Sequence, residues 1–282
     1  MKTQTPKGFN DLIPEEAELS YASLSKIEKN FKSLNYKKIR TPTLEYFDTL
    51  AKGIGSHLLS NTIRFVDQSG QLMMLRPDHT TPIARLVASR MRDVPLPIRL
   101  YYLNSVFRRQ LNDKEHDVEF FQAGVELIGM EGPQADAEII MVCIDSLKAL
   151  GLKEIGVDIG HVSFIQGLSK DKKTALLEKD YITFGSIPEC GGPEIIADNP
   201  YLLEVYNVLK KKKYDQYIHF NKGLVRQIQY YTGMIFDCYI KGARQIVGSG
   251  GRYDSLIGKF GYHCPAVGFA LDATLIQSCL KK

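Results

Sequence analysis

Apolar and polar positions alternate along the chain in short runs broken by turn residues, with a few longer stretches of helical spacing. Leu24, Ile27, Phe31 and Leu34 recur on one face after Pro14-Glu15-Glu16, and a proline followed by acids suits a helix start. Lys37 to Pro42 reads as a short strand that the proline ends. Thr62 to Val66 and Gln71 to Leu75 predict a hairpin, with Gly70 supplying the turn. A helix is expected over Thr81 to Arg92, and strands over Ile98 to Tyr102, Ser105 to Arg108 and Glu119 to Ile128. Asp136 is expected to cap a helix whose Ile140, Ile144 and Leu147 face inward, with Gly151 as its stop. Ile155, Val157 and Ile159 alternate as a strand should.

Gln166 to Lys213 has a different texture, helical and interrupted by Phe184-Gly185-Ser186-Ile187-Pro188. It reads as a small helical insertion (166–213) within a single domain spanning residues 1–282. Strands follow near Ile218 to Phe220, Met234 to Ile240, Gln245 to Val247 and Val267 to Leu271, and the chain ends in a short helix. Gly248-Ser249-Gly250-Gly251 is expected to lead into a helix, and Ser249 to Asp254 resembles a tight glycine turn that lets a ligand approach the backbone. Strands that mostly succeed one another, backed by helices, predict an α+β fold: a mostly antiparallel sheet flanked by helices.

Composition narrows the function classes. The 282 residues are 44% hydrophobic and 24% charged, an ordinary globular balance. No apolar run reaches the roughly 18 residues that span a bilayer, and the polar start Met1-Lys2-Thr3-Gln4 lacks a secretion signal's apolar core. No membrane association and a cytoplasmic location are therefore expected. The net charge of +4 is too small and dispersed to predict a nucleic-acid partner. The densest run, Lys210 to Lys213, closes an apolar helical stretch, where cations suit the helix dipole. The five cysteines include no C-x-x-C pair and the six histidines no HExxH, so neither a metal nor another cofactor is expected. Cys143 and Cys238 read as core thiols and Cys190 as a loop thiol.

Polar groups inside strand patterns mark the candidate chemistry. Asp78 and Thr80 are two apart, so in an extended segment they share a side and together could hold an ammonium group. Helix capping is the competing reading of the same pair. Gln122 and Glu126 share one face of the strand they stand in, and a carboxylate there wants a cation from the protein, such as Arg108, or from a ligand. Arg226, followed by Tyr230 and Tyr231, fits a pocket that clamps a carboxylate and lines an aromatic ligand.

Read together, these segments resemble the catalytic domain of histidyl-tRNA synthetase, a class II aminoacyl-tRNA synthetase. Pro6-Lys7-Gly8-Phe9-Asn10-Asp11-Leu12-Ile13-Pro14 is similar to that family's amino-terminal motif, and Ile39 to Pro42 to its dimer-forming motif 1. Leu75 to Thr80 is similar to LRPEGT, Val106-Phe107-Arg108 to the start of motif 2, and Phe120 to Gly129 to its returning strand. Leu224 to Gly233 resembles the histidine-specific LVRGLDYYTG, Gly250 to Asp254 the GGRYD segment, and Ala266 to Leu271 the start of motif 3. The resemblance implies that Asp78 and Thr80 meet a histidine ammonium and that Gln122 and Glu126 contact the amino group and imidazole. It implies that Tyr230 and Tyr231 line the ring, and that Arg108 and Arg226 face the carboxylate or a reacting phosphate.

Departures from the family pattern fall on both the nucleotide and the amino-acid sides. Gln110 stands for the acid of motif 2, Val118 for the arginine before the returning strand, and Leu275 for the phosphate-gripping arginine of motif 3. Phosphoryl chemistry relies on such clamps. On the amino-acid side, Asp78 replaces Glu, and Gln227 and Gln229 replace Gly and Asp. The chain also stops at Lys282, straight after motif 3, with no anticodon-binding domain. This combination resembles the regulatory subunits of short-form ATP phosphoribosyltransferase. The resemblance implies a non-catalytic chain, required for a catalytic subunit's activity and for histidine feedback in the first step of histidine biosynthesis. It implies a homodimer within a hetero-octamer, with histidine as effector. Two alternatives stay open: a minimal aminoacyl-adenylate ligase, which the surviving Arg108 and Arg226 permit, and a histidine-binding scaffold with another partner.

Overall fold

The computed structural model describes residues 4–109, 117–226 and 230–280. Helix α1 (Pro14–Ser33) leads into β1 (Lys37–Lys38), β2 (Leu44–Tyr46), α2 (Phe47–Ala51) and α3 (Ser56–Ser60). The hairpin β3 (Arg64–Val66) and β4 (Leu72–Leu75) precedes α4 (Thr80–Arg90), and the long strands β5 (Ile98–Phe107) and β6 (Glu119–Ile128) follow. Then come α5 (Pro133–Ala149), β7 (Ile155–His161), α6 (Lys170–Leu177), α7 (Tyr181–Phe184), β8 (Cys190–Gly191) and α8 (Pro200–Lys211). The chain closes with β9 (Ile218–Asn221), β10 (Met234–Ile240), β11 (Gly248–Arg252), β12 (Ala266–Asp272) and α9 (Ala273–Leu280).

Among the described residues, nine strands form one sheet in the order β1-β5-β6-β12-β11-β10-β7-β9-β8, and β2, β4 and β3 form a second, small sheet. The large sheet is mostly antiparallel, as the sequence predicts, with parallel pairs at β1–β5 and β7–β9. Strand alternation gives it two distinct faces. Ala123, Val125 and Leu127 of β6, Val157 and Ile159 of β7, and Phe236 and Cys238 of β10 pack under α1, α5, α8 and α9. Within the segment of different texture, α8 buries Leu202, Val205 and Leu209 in this same core, and β8 extends the sheet edge. The opposite face carries Leu100, Tyr102 and Ile128 against Ile83, Ala84 and Val87 of α4 and against Tyr230 and Tyr253. That face holds the polar residues singled out by sequence.

Local chemistry accounts for most element ends. Pro14 occupies the first position of α1, with Glu15 and Glu16 in its first turn. The β3–β4 turn is held by Asp67, whose Oδ1 accepts from the backbone N–H groups of Ser69 and Gln71 at 2.9 and 2.8 Å, while Gly70 supplies φ 82°. Lys210 and Lys211 close α8. No helix among the described residues is long and apolar enough to cross a membrane.

Four expectations are corrected. Ile98–Phe107 is one strand rather than two, because every residue from Ile98 to Phe107 pairs with β6. Gln245 to Val247 is not strand; the strand is the glycine run itself, Gly248–Arg252, so there is no glycine turn. Nor does a helix follow it directly: Arg252 is still strand. Asp136 does not cap α5. Gly132 holds that position, and Asp136 lies in the first turn, fully buried, with its Oδ1 2.9 and 2.6 Å from Nε and Nη2 of Arg252. Tyr201 donates to its other oxygen at 2.8 Å. This pair ties the helix layer to β11.

Removing one partner of a buried ion pair leaves the other uncompensated. Asp136→Ala is therefore expected to lower the unfolding free energy by about 3–5 kcal/mol, read as a fall in the urea midpoint without a change in slope. An effect below about 1 kcal/mol, the size of an exposed pair, would contradict this role.

Candidate functional site

The site is built on the face of the sheet opposite the main helices. Glu126 of β6 stands in the middle of this face, 1% exposed. Its cross-strand neighbour on β12 is Gly268, whose own partner on β11 is Gly251. These two positions need glycine. A Cβ at Gly268 would be driven into the Glu126 carboxylate, and one at Gly251 would come within 2.9 Å of the Tyr231 ring and 2.6 Å of the Met234 carbonyl. The glycine strand that the sequence hid is therefore a trough cut for Glu126 and Tyr231.

Hydroxyl donors surround the buried carboxylate. Thr80 Oγ1 donates to Glu126 Oε1 at 2.8 Å, and the Tyr253 hydroxyl donates to Oε2. Burial outweighs both bonds and, with the nearby Asp78 charge, pushes the Glu126 pKa up to about 8. Asp78, 6% exposed, accepts from the Thr81 backbone and hydroxyl, each at 3.3 Å, and from Tyr230. Asp78 thus bonds the first turn of α4, where His79 holds the N-cap position. Burial raises its pKa to about 6 against the opposing pull of Arg108. Tyr230 packs 5.1 Å from Tyr231 and 5.7 Å edge-on to Tyr253, centroid to centroid. Below them His79 stacks on Tyr102 at 4.3 Å, and burial holds the His79 pKa down to about 3, so the ring is neutral.

Arg108 leaves the end of β5 with its guanidinium 4.8 Å over the Phe120 ring and its buried Nε without a protein partner. Burial lowers its pKa, while Asp78 and Asp272 pull the other way. Gln122 shares the strand face of Glu126, is 7% exposed, and its Oε1 also has no protein partner. Asp78, Thr80, Glu126, Tyr230 and Tyr231 thus come together, with Arg108 and Gln122 toward the Phe120 end. Arg226 lies beside this cluster, within electrostatic reach of Tyr230, Tyr231 and Arg108. It lines a neighbouring cleft of about 940 Å³, together with Arg108, and its guanidinium lies against the Asp237 carboxylate. Gln110, Gln227 and Gln229 lie outside the described residues.

Two positions read as departures make structural contacts. Val118 closes on Gly8: its N–H donates to the Gly8 carbonyl at 2.7 Å. Leu275 packs against the helix-side core. Two residues matter here that sequence reasoning did not single out. Tyr253 was read as part of a glycine turn, yet it anchors Glu126. Asp237 was read as strand, although a lone acid in Met234-Ile235-Phe236-Asp237-Cys238 was the available signal. Among the described residues, no group of three or more His, Cys, Asp or Glu could hold a metal ion.

Chemically, this cluster offers acceptors at Asp78, Glu126 and Gln122, hydroxyls at Thr80 and two tyrosines, apolar ring faces, and the Arg108 cation beside it. That combination suits a small zwitterion with a nitrogen-bearing ring.

The chain is similar to proteins of known family. The histidyl-tRNA synthetase family matches residues 8–182 and 190–276. An ATP phosphoribosyltransferase regulatory subunit of Geobacter metallireducens is 34% identical, over 98% of this chain and 74% of its own length. A crystal structure described as an ATP phosphoribosyltransferase regulatory subunit/histidyl-tRNA synthetase from Bacillus halodurans superposes with a TM-score of 0.89 at 31% identity. It covers 99% of this chain and 84% of that one. Apo histidyl-tRNA synthetase of S. aureus superposes with a TM-score of 0.74 at 25% identity, covering 99% of this chain and 70% of that one.

Because the folded-state pKa of Glu126 is raised, the unfolded chain loses its proton first as pH rises, and stability falls between pH 4.5 and about 8. Glu126→Gln removes this penalty. The variant is expected to gain stability relative to the parent as pH is raised from 5 to 8, measured by urea unfolding. A constant difference across that range would contradict a buried, protonated Glu126. Gly268→Ala is expected to cost more than about 1 kcal/mol, well beyond a surface change.

Proposed function

The chain belongs to the histidyl-tRNA synthetase-like family of ATP phosphoribosyltransferase regulatory subunits, and on that premise we propose that it carries histidine feedback to a catalytic partner without catalysing a reaction itself. The partner is the short-form ATP phosphoribosyltransferase catalytic subunit, which needs this chain for activity in the first step of histidine biosynthesis. The assembly is a hetero-octamer built on a homodimer of this chain.

One observation carries the reading. The pocket keeps buried carboxylates, hydroxyls and tyrosines suited to an amino acid, whereas Val118 and Leu275 stand where the synthetase pattern has arginines. An adenylate-forming site needs those cations to hold phosphates; a sensor does not. In the proposed complex the histidine ammonium meets Asp78 and Thr80. The ring lies against Tyr230 and Tyr231 and reaches Glu126 and Gln122, and an arginine faces the carboxylate. With its pKa pushed up to about 8, Glu126 keeps its proton at neutral pH. It can then donate to an unprotonated imidazole nitrogen as well as accept. Asp78, at about 6, is largely ionised there and suits a cation.

Regulation follows from differential affinity. Histidine shifts the assembly toward an inactive arrangement only if it binds that arrangement more tightly. The decisive assay mixes this chain with the catalytic subunit from the same source and follows phosphoribosyl-ATP formation. Activity is expected only with both chains present, and histidine is expected to suppress it. Asp78→Ala should leave activation intact while raising the half-inhibiting histidine concentration by roughly tenfold or more, as loss of a charged hydrogen bond implies. Activity independent of this chain would overturn the regulatory reading. Inhibition unchanged in Asp78→Ala would move the sensor away from this pocket.

A further inference from the structure

The cleft beside the tyrosine pocket carries charges of its own. Asp158 of β7 and Asp237 of β10 are direct partners in the antiparallel register, on the same face of the sheet. Both line the cleft. Like charges placed opposite one another across a strand pair repel, so the arrangement needs a cation. Arg226 supplies it. Its guanidinium lies against the Asp237 carboxylate and donates to the Phe236 carbonyl at 3.4 Å, and both side chains are largely buried, 14% and 9% exposed. Asp158 is held separately, by Asn221 and Tyr239.

An arginine so placed is not free for another anion. Drawing it to a ligand carboxylate would leave Asp237 buried, uncompensated and beside Asp158, an arrangement that carries a large penalty. Arg108 is held differently. Its guanidinium rests on the Phe120 ring, although the Nε of each of the two arginines is buried without a hydrogen-bond partner. Arg108 also lies within electrostatic reach of Asp78.

We propose that Asp237 sets the selectivity of the pocket: by holding Arg226 to the floor of the cleft, it withholds that guanidinium from the ligand and leaves carboxylate recognition to Arg108. This rests on the histidine-binding reading above and specifies which cation that reading uses.

The test compares L-histidine with histidinol, which keeps the ring and the ammonium but carries a hydroxymethyl group in place of the carboxylate. Affinities of both are measured by calorimetry on the full-length parent chain and on Arg108→Gln, Arg226→Gln, Asp237→Asn and Asp237→Glu. Each variant is first checked for a cooperative thermal transition. The parent is expected to prefer histidine. Arg108→Gln should cut that preference by about tenfold or more, the scale of a charge-assisted bond, whereas Arg226→Gln should leave it nearly unchanged. Asp237→Asn should release Arg226 and raise the preference by about tenfold, and Asp237→Glu, which keeps the charge, should behave as the parent. Loss of preference in Arg226→Gln, or an unchanged ratio in a folded Asp237→Asn, overturns this proposal while leaving the pocket reading intact. If Asp237→Asn does not fold, the contrast between the two arginine variants decides the matter. A parent chain that binds neither ligand overturns the pocket reading, and this proposal with it.

Discussion

Burying a carboxylate in the middle of a β-sheet is costly unless its oxygens are met by donors, and Glu126 imposes that constraint on everything around it. The β12 position opposite must be glycine, because any side chain there would occupy the carboxylate's space. Thr80, at the start of α4, must point back across the sheet, which fixes where that helix begins. Tyr253 must come from beyond β11, which requires β11 to run as a strand up to Arg252. Each demand is local, but together they hold α4, β6, β11 and β12 in one relation.

The same logic separates structural charges from functional ones. Asp136 and Arg252 are buried on the helix side, satisfy each other and Tyr201, and join two layers. Arg226 lies against Asp237 on the cleft side. Asp78 and Glu126 are met by Thr81, Thr80 and Tyr253, whereas Gln122, Arg108, Arg226 and Asp237 each keep a buried polar atom without a hydrogen-bond partner. Buried polar groups are nearly always satisfied, so such atoms mark a candidate site. Relative to the synthetase pattern, the changed positions include two that would grip phosphates, Val118 and Leu275, beside Asp78, Gln227 and Gln229 on the amino-acid side, and Leu275 packs against the apolar core.

Much of this was legible in the sequence. The alternation in Ile155, Val157 and Ile159 and the turn at Asp67 to Gly70 mark their elements directly, because local pattern and tertiary burial agree there. The candidate polar residues were visible as exceptions to strand alternation. Less legible was whatever depends on a partner far along the chain. Gly248 to Gly251 carries no β propensity, and it is strand because its neighbours leave no room for side chains. Asp136 looked like a helix cap because its partner, Arg252, lies 116 residues away. Nothing near Arg226 in sequence announces Asp237, against which its guanidinium lies.

On the proposed function, a synthetase fold keeps its amino-acid site here without the means to activate an amino acid. The most direct measurement is equilibrium dialysis of this chain against labelled histidine, with and without saturating ATP and magnesium, followed by analysis of the retained label. Histidine held at one molecule per chain, indifferent to ATP and recovered unchanged, is the expected result. Absence of bound histidine, or its recovery as the adenylate when ATP is present, would contradict the claim.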